Sequence, residues 1–235
     1  MSLLSVVQDV CAVVGVAQPT TVFTNLSGNR TMQEMVALAN EMAQRISYDT
    51  RDWTRLKLTA TYLGDGSTQA FPVPADYKRM LLNSNVWLST NAIQPMRFIL
   101  DADEWMNRRA LNYLSPWGEW TMMGGNILIV PTMAAGVNAY HAYLQKNCIS
   151  LTSGGFGDRF IADTDSFVLD ERVLRLGMVW QWKAQKGSPY QEDLGTYGDA
   201  LTNAMGHDSP APIIIDRRPI SLAVKTAYPW PVPTP

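Results

Sequence analysis

Two capped helices over residues 160–205 constrain this chain more than any other stretch. Leu169, Val173, Leu176 and Trp180 recur at helical spacing and share one face. Leu174, Met178 and Trp182 form a second ridge on the far side of the same helix. A helix apolar on opposite sides needs cover on both. One side packs in its own bundle; the other calls for a second layer or a neighbouring subunit. Lys186 and Gly187 end this helix. Ser188, Pro189 and Gln191 then read as N-cap, first helical residue and capping-box partner of the next one. Its stripe is Tyr190, Leu194, Tyr197, Leu201 and Met205.

The N-terminal part repeats the helical pattern. Leu3, Val7, Val10 and Val14 share a face of a helix over residues 2–14, with Gly15 as its stop. Cys11 lies on that pattern and reads as a buried thiol. After a polar loop, Thr31 and Glu34 form a capping box for a second helix. Its stripe is Met32, Met35, Val36, Ala39, Met42, Ala43 and Ile46, opposite Gln33, Asn40, Glu41 and Gln44.

From Trp53 the period changes to two. Residues 53–63 read as a strand, Gly64-Asp65-Gly66 as a turn, 68–73 as a returning strand and 80–88 as a further extended run. A turn and short strand follow over 91–96. Asp101 and Glu104 form a capping box opening a short helix with Trp105, Met106 and Ala110. Gly124-Gly125 joins 117–123 to 126–130 as a hairpin, and 137–144 is a last strand. Residues 147–157 read as a polar, Gly-rich connection. The expected fold class is therefore α+β. Residues 1–52 and 150–208 form a four-helix bundle, 53–149 an inserted β-rich domain, and 209–235 an extended C-terminal tail. The tail is Pro-rich without helical period, so it tends to extended or polyproline conformation and cannot form a core alone.

The composition narrows the function. Formal net charge is −2, which is not the profile of a protein that grips nucleic acid. Eight Trp and twelve Met imply more surface to cover than one monomer hides, so an oligomer is expected. The two cysteines form no CxxC pair. Asp9 interrupts the N-terminal apolar run, which has no basic region before it, arguing against a signal peptide. No apolar window is long enough for a membrane span, so the compartment reads as cytoplasmic.

No chemistry competes with this structural reading. Asp158, Asp163, Asp165 and Asp170 lack the spacing of a calcium loop, and Asp165 or Asp170 reads as a helix cap. Gly154-Gly155-Phe156-Gly157 is not a phosphate-binding pattern. His141 and His207 have no triad or zinc partners at suitable spacing. The Trp180 and Trp182 pair reads as packing rather than a base-stacking platform. No catalytic residue, metal or cofactor is expected, and the chain reads as a non-enzyme.

The order of features resembles the head-to-tail adaptor (connector) proteins of short-tailed and related tailed bacteriophages and of gene transfer agents. The likeness starts with the Leu3-Leu4-Ser5-Val6-Val7 run and Gly15, then Leu38-Ala39-Asn40 and Asp52-Trp53. Phe71-Pro72-Val73-Pro74-Ala75-Asp76-Tyr77 is similar to the family's proline turn, and residues 125–131 to its late strand. The strongest part is Phe160, Asp163-Thr164-Asp165, Leu169-Asp170-Glu171, Gly177, Trp180, and Lys186-Gly187 before Tyr190.

The resemblance implies a structural virion protein of the tail or neck, assembled in the host cytoplasm. It implies a homo-oligomeric ring, typically of twelve copies, beneath the portal protein. Double-stranded DNA passes through the lumen without sequence-specific binding, and no membrane is involved. Nozzle, hub or fibre proteins of the tail attach below. The C-terminal segment docks on the portal, with Ile213, Ile214, Ile215, Arg217, Arg218, Lys225, Tyr228 and Trp230 as expected docking groups. Leu169, Val173, Leu174, Met178, Trp180, Trp182 and Tyr197 are expected to pack the bundle or the subunit contact. The alternative is a tail-tube or stopper subunit of the same tail machine.

Overall fold

The computed structural model describes residues 2–24, 26–82, 84–91, 93–110 and 115–208. The architecture is α+β. Helices α1 (Leu3–Val14), α2 (Arg30–Tyr48), α4 (Glu171–Gln185) and α5 (Gln191–His207) pack together, and the sheets lie between α2 and α4 in the chain. The C-terminal tail expected over residues 209–235, with all its docking groups, lies outside the described residues.

Helix α4 is the hub of the bundle, touching α1, α2 and α5. Val173, Leu174, Met178, Val179 and Trp182 are all buried in one core with Val7 and Val10 of α1, Met35 and Met42 of α2, and Tyr197 of α5. The second ridge of α4 thus meets the chain's own helices. Gly177 permits the close approach. A Cβ there would collide with the Met42 Cε atom and lie 3.2 Å from the Tyr197 ring. Trp180 is only half-buried, at the bundle margin, with its ring 6.1 Å from Tyr197 and 6.4 Å from Tyr190. Helix α5 is the peripheral member. Tyr197 and Ala200 are its buried residues, while Leu194 of the expected stripe is exposed.

The helix termini differ from the sequence expectation in instructive ways. Asn29 caps α2: its Oδ1 accepts from the N–H of Thr31 at 3.0 Å, so Thr31 lies inside the helix. Glu34 is drawn outward by Arg30 at 3.0 Å and by Lys186 of α4 at 2.7 Å. Ser188 does not cap α5. Its N–H donates to the carbonyl of Lys183 and that of Gly187 to Ala184, so both belong to the end of α4, a Schellman closure. Tyr190 stands at the N-cap of α5 with no side-chain bond, and Glu192 and Asp193 in the first turn complement the helix dipole.

The insert is built on strands β1 (Lys57–Leu63), β2 (Ala70–Pro72), β3 (Tyr77–Met80), β4 (Trp87–Leu88), β5 (Arg97–Phe98), β6 (Glu119–Met123), β7 (Asn126–Val130) and β8 (Asn138–Gln145), with helix α3 (Ala102–Ala110) after β5. One sheet runs β1-β8-β3, with β4 also on β8; the other runs β2-β7-β6-β5. Residues 68–73 therefore do not return along β1. The chain changes sheets after the Gly64–Gly66 turn, and β2 pairs with β7. The run over 80–88 is split between β3, which ends at Met80, and β4 at Trp87–Leu88, with Val86 buried in the core just before β4. The short strand expected over 91–96 lies at β5, parallel to β6. The Gly124-Gly125 hairpin forms as expected, with φ of +58° and +77°.

The insert has its own core, of Tyr62, Phe71, Val86, Met96, Trp120, Ile127, Ile129 and Tyr143 among others. Helix α3 is fastened by Trp105, buried with Ile99 and Val130; Met106 and Ala110 point outward. Arg108 bridges Glu104 at 2.8 Å and the buried Glu119 of β6 at 2.6 Å. The connection over 147–157 is not wholly irregular. It supplies β9 (Ile149–Ser150) and β10 (Phe156–Gly157), which form a small sheet with β11 (Ser166–Phe167). Two-residue strands carry too little alternation to read from sequence.

The unequal burial of the two tryptophans of α4 is testable. Trp182→Ala should destabilise the fold by about 3–5 kcal/mol, and Trp180→Ala by less, about 1–3 kcal/mol. Urea denaturation of the two variants measures the order; equal losses would contradict the packing.

Candidate functional site

The Asp163-Thr164-Asp165 stretch, one of the motifs singled out in the sequence, has an architectural geometry. Asp165 is buried. Its carboxylate accepts from the backbone N–H of Thr152 at 2.9 Å and of Ile161 and Ala162 at 2.8 Å. Burial pushes its pKa up, but these N–H donors and the Thr152 hydroxyl outweigh that and hold it below the usual range. Asp163 accepts from the N–H of Val22 and of Phe23 at 3.0–3.1 Å. The carbonyls of Asp165 and Asp163 accept from Leu3 and Leu4, the first donors of α1. Neither carboxylate stands free for a cation. Asp170 caps α4 through the Arg172 N–H at 2.8 Å. Of the two capping candidates, Asp170 is the helix cap and Asp165 is a loop staple.

The histidines are far apart in role. His141 is buried on β8 beside the rings of Tyr62, Tyr77 and Tyr143, stacked on Tyr62 at a 5.7 Å centroid distance. Its two nitrogens have no hydrogen-bond partner among the described residues. Burial lowers its pKa, so the ring is neutral at pH 7. His207 is exposed at the end of α5. Cys11 and Cys148 are both buried thiols, and burial raises both pKa values. Among the described residues no group of three His, Cys, Asp or Glu could hold a metal ion. No described helix is long and apolar enough to cross a membrane.

Of the residues singled out for bundle or subunit packing, Leu169, Val173, Leu174, Met178, Trp182 and Tyr197 lie in the core of the single chain. Trp180 remains half-exposed, with the Arg45 guanidinium 5.6 Å over its ring. Exposed large apolar side chains lie elsewhere, and the sequence does not single them out. On the insert, Ile93, Phe98, Leu100, Met106 and Trp117 are exposed. Phe98 and Trp117 line a cleft of about 540 Å³ with Pro95, Met96, Arg97 and Pro116. Isolated apolar residues in short strands and turns carry no periodic signal, so only the structure groups them. On the bundle, a cleft of about 480 Å³ lies between Trp53, Thr54, Leu169, Ala204, His207 and Asp208. Asp208 is held there by Arg51 at 3.8 Å and by the Thr54 N–H at 2.9 Å. Asp208 is the last described residue.

Comparison with known proteins finds no match, either to a protein-family model or to a curated protein.

The Asp165 staple sets a pH dependence. A carboxyl whose folded pKa is depressed contributes stability that is present above its unfolded value, near 4, and is lost as pH falls through the folded value. Asp165→Asn should cost about 2–3 kcal/mol at pH 7 and should flatten the acid side of the stability profile. Denaturant titrations of both proteins from pH 7 to pH 2.5 measure this; parallel profiles would contradict the assignment.

Proposed function

We propose that this chain is a structural virion protein, the subunit of a head-to-tail adaptor ring that docks beneath the portal of a tailed bacteriophage. The ring extends the DNA channel and gives the tail its attachment platform. The observation that carries the reading is the pair of exposed aromatic side chains Phe98 and Trp117 lining a cleft on the insert, with Ile93 and Leu100 also exposed there in the chain. Large apolar side chains left open at a cleft suit a partner surface. The bundle supports it from the other side: its four helices share one core, and the Pro-rich segment that the resemblance implies docks on the portal follows Asp208 in the sequence. One subunit thus offers a folded body, an apolar surface on the insert, and a separate segment for a further partner.

In this reading the insert meets the neighbouring copy or the next tail component. Ile213, Ile214, Ile215, Arg217, Arg218, Lys225, Tyr228 and Trp230 engage the portal. The small negative net charge lets duplex DNA pass without sticking. The subunit performs no reaction and needs no cofactor.

Electron microscopy of virions, and of the protein mixed with its portal, tests the assignment. The expected result is a ring of this chain at the head–tail junction. No density there overturns the proposal, and assembly into tubes without portal assigns the tail-tube or stopper alternative. Deleting residues 210–235 should leave thermal unfolding of the body unchanged and weaken portal binding at least about tenfold, a loss near 1.4 kcal/mol. Equal affinity of truncated and full-length protein would remove the docking role of the segment.

A further inference from the structure

His141 is a buried titratable side chain that the packing leaves without a hydrogen bond. Period two sets it on the face of β8 that carries Ala139 and Tyr143, and across the sheet it stands opposite the small Ala60 of β1. Aromatic rings close the space around it. Tyr62 of β1 stacks on the imidazole at 5.7 Å, and Tyr77 of β3 and Tyr143 each lie 6.2 Å away between centroids. His141 is 2% exposed. Its Nδ1 and Nε2, and the hydroxyl of the stacked Tyr62, have no hydrogen-bond partner among the described residues. Buried polar atoms without partners are rare, and here three meet in one apolar core.

The groups around this ring are neutral or already engaged. Burial pushes Tyr62 and Tyr143 up to about 12 and raises Tyr77, so the three phenols stay protonated from acid to neutral pH. The Tyr77 hydroxyl donates to the Met122 sulfur at 3.4 Å. The carboxylate tied to the cluster is Asp76, which accepts from the Tyr143 hydroxyl at 2.9 Å. Lys78 and Arg79 of β3 are drawn to the Tyr48 ring and to Asp52. Lys57 of β1 lies on the other face at period two, and Glu119 of β6 is bound to Arg108 at 2.6 Å. A protonated His141 is therefore a desolvated cation with two N–H donors and, among the described residues, no acceptor for either. The Tyr62 face attracts a cation, but it takes neither N–H.

We propose that His141 is an acid-sensitive pin of the insert: on its protonation the β1-β8-β3 sheet opens around Tyr62, Tyr77 and Tyr143 while the helical bundle stays folded. The insert and the bundle have separate cores, and the tyrosines that enclose His141 belong to that of the insert. Burial holds the imidazole below its ordinary value. Its contribution to stability is therefore fully present above the unfolded value, near 6.5, and is lost as pH falls from there through the folded value. The buried carboxylate of the bundle, Asp165, is held below the usual carboxylate range, so the two parts respond in separate windows. The other histidine, His207, is exposed at the end of α5. The device stands on the packing around His141 and does not depend on the adaptor reading.

Site-resolved hydrogen–deuterium exchange on the full chain from pH 7.5 to pH 5, corrected for intrinsic exchange, tests it. Opening at the β8 amides should increase with acid, approaching about tenfold per pH unit below about 6.5, with α2 and α4 amides unchanged. His141→Phe keeps a ring in the space and removes the titration, so its β8 opening should not vary with pH over this range. An NMR titration of the His141 ring in the unaltered protein needs no variant, and the ring should remain neutral at about pH 6.5. Three results each overturn the proposal: β8 opening that is the same at pH 7.5 and pH 5, a pH-dependent β8 opening that survives in His141→Phe, or a His141 ring that charges at or above about pH 6.5. Opening of α4 in step with β8 overturns it too, by making the response global.

Discussion

The burial of one carboxylate against backbone N–H groups is the interaction on which most of this architecture depends. Asp165 gathers Thr152, Ile161 and Ala162, so a loop with little regular structure of its own is folded around a single charge. A buried carboxylate is costly without such donors, and loops without ladders leave such donors over. Each removes the other's penalty. The same short stretch receives the first N–H groups of α1 and, through Asp163, the chain at Val22 and Phe23. The start of the chain is thereby fixed to a segment far away in sequence, and α1 is oriented for its contact with α4.

From that anchor the bundle follows by packing. Helix α4 is apolar around most of its circumference because three helices cover it, and Gly177 sets how near they come. The cost is low tolerance. A helix enclosed by Met42 and Tyr197 at a glycine has little room to repack. The peripheral α5 packs Tyr197 and Ala200 into the core and adds rim contacts, such as Lys183 with Asp193 at 2.6 Å, while the half-exposed Trp180 ring lies tilted against Tyr190 and Tyr197 at the margin.

Much of this was legible in the sequence, for definite reasons. Long amphipathic repeats gave α1, α2, α4 and α5, and two adjacent glycines gave the β6–β7 hairpin. The two-sided helix was readable because Leu174, Met178 and Trp182 break the single-stripe pattern. Caps were less legible. Thr31 and Ser188 satisfy a local motif, but Asn29 competes better for the same donors, and Ser188 is taken by the end of α4. Strand partners were least legible, since β2 pairs across more than fifty residues and nothing local specifies it. The Asp163 staple escaped because its donors lie at Val22 and Phe23, far away in sequence, and the Asp165 staple because a carboxylate that reaches back to loop N–H groups at Ile161 and Ala162 follows no periodic pattern. The apolar group around Phe98 and Trp117 is assembled from a strand and separate turns, so it exists only in three dimensions.

The way the insert joins the bundle has a mechanical consequence. Its first and last strands run antiparallel side by side, with Lys57 opposite Leu144. Leu56 and Leu144 are buried in the bundle core. The whole insert is therefore mounted on a two-strand stem rooted among the helices, with Arg79 bound to Asp52 and Lys78 over the Tyr48 ring as braces at its base. A stem of this kind acts as a lever arm. A load applied at the far end of the insert reaches the helices through two adjacent strands, and the outer part can grow or shrink without disturbing the footing.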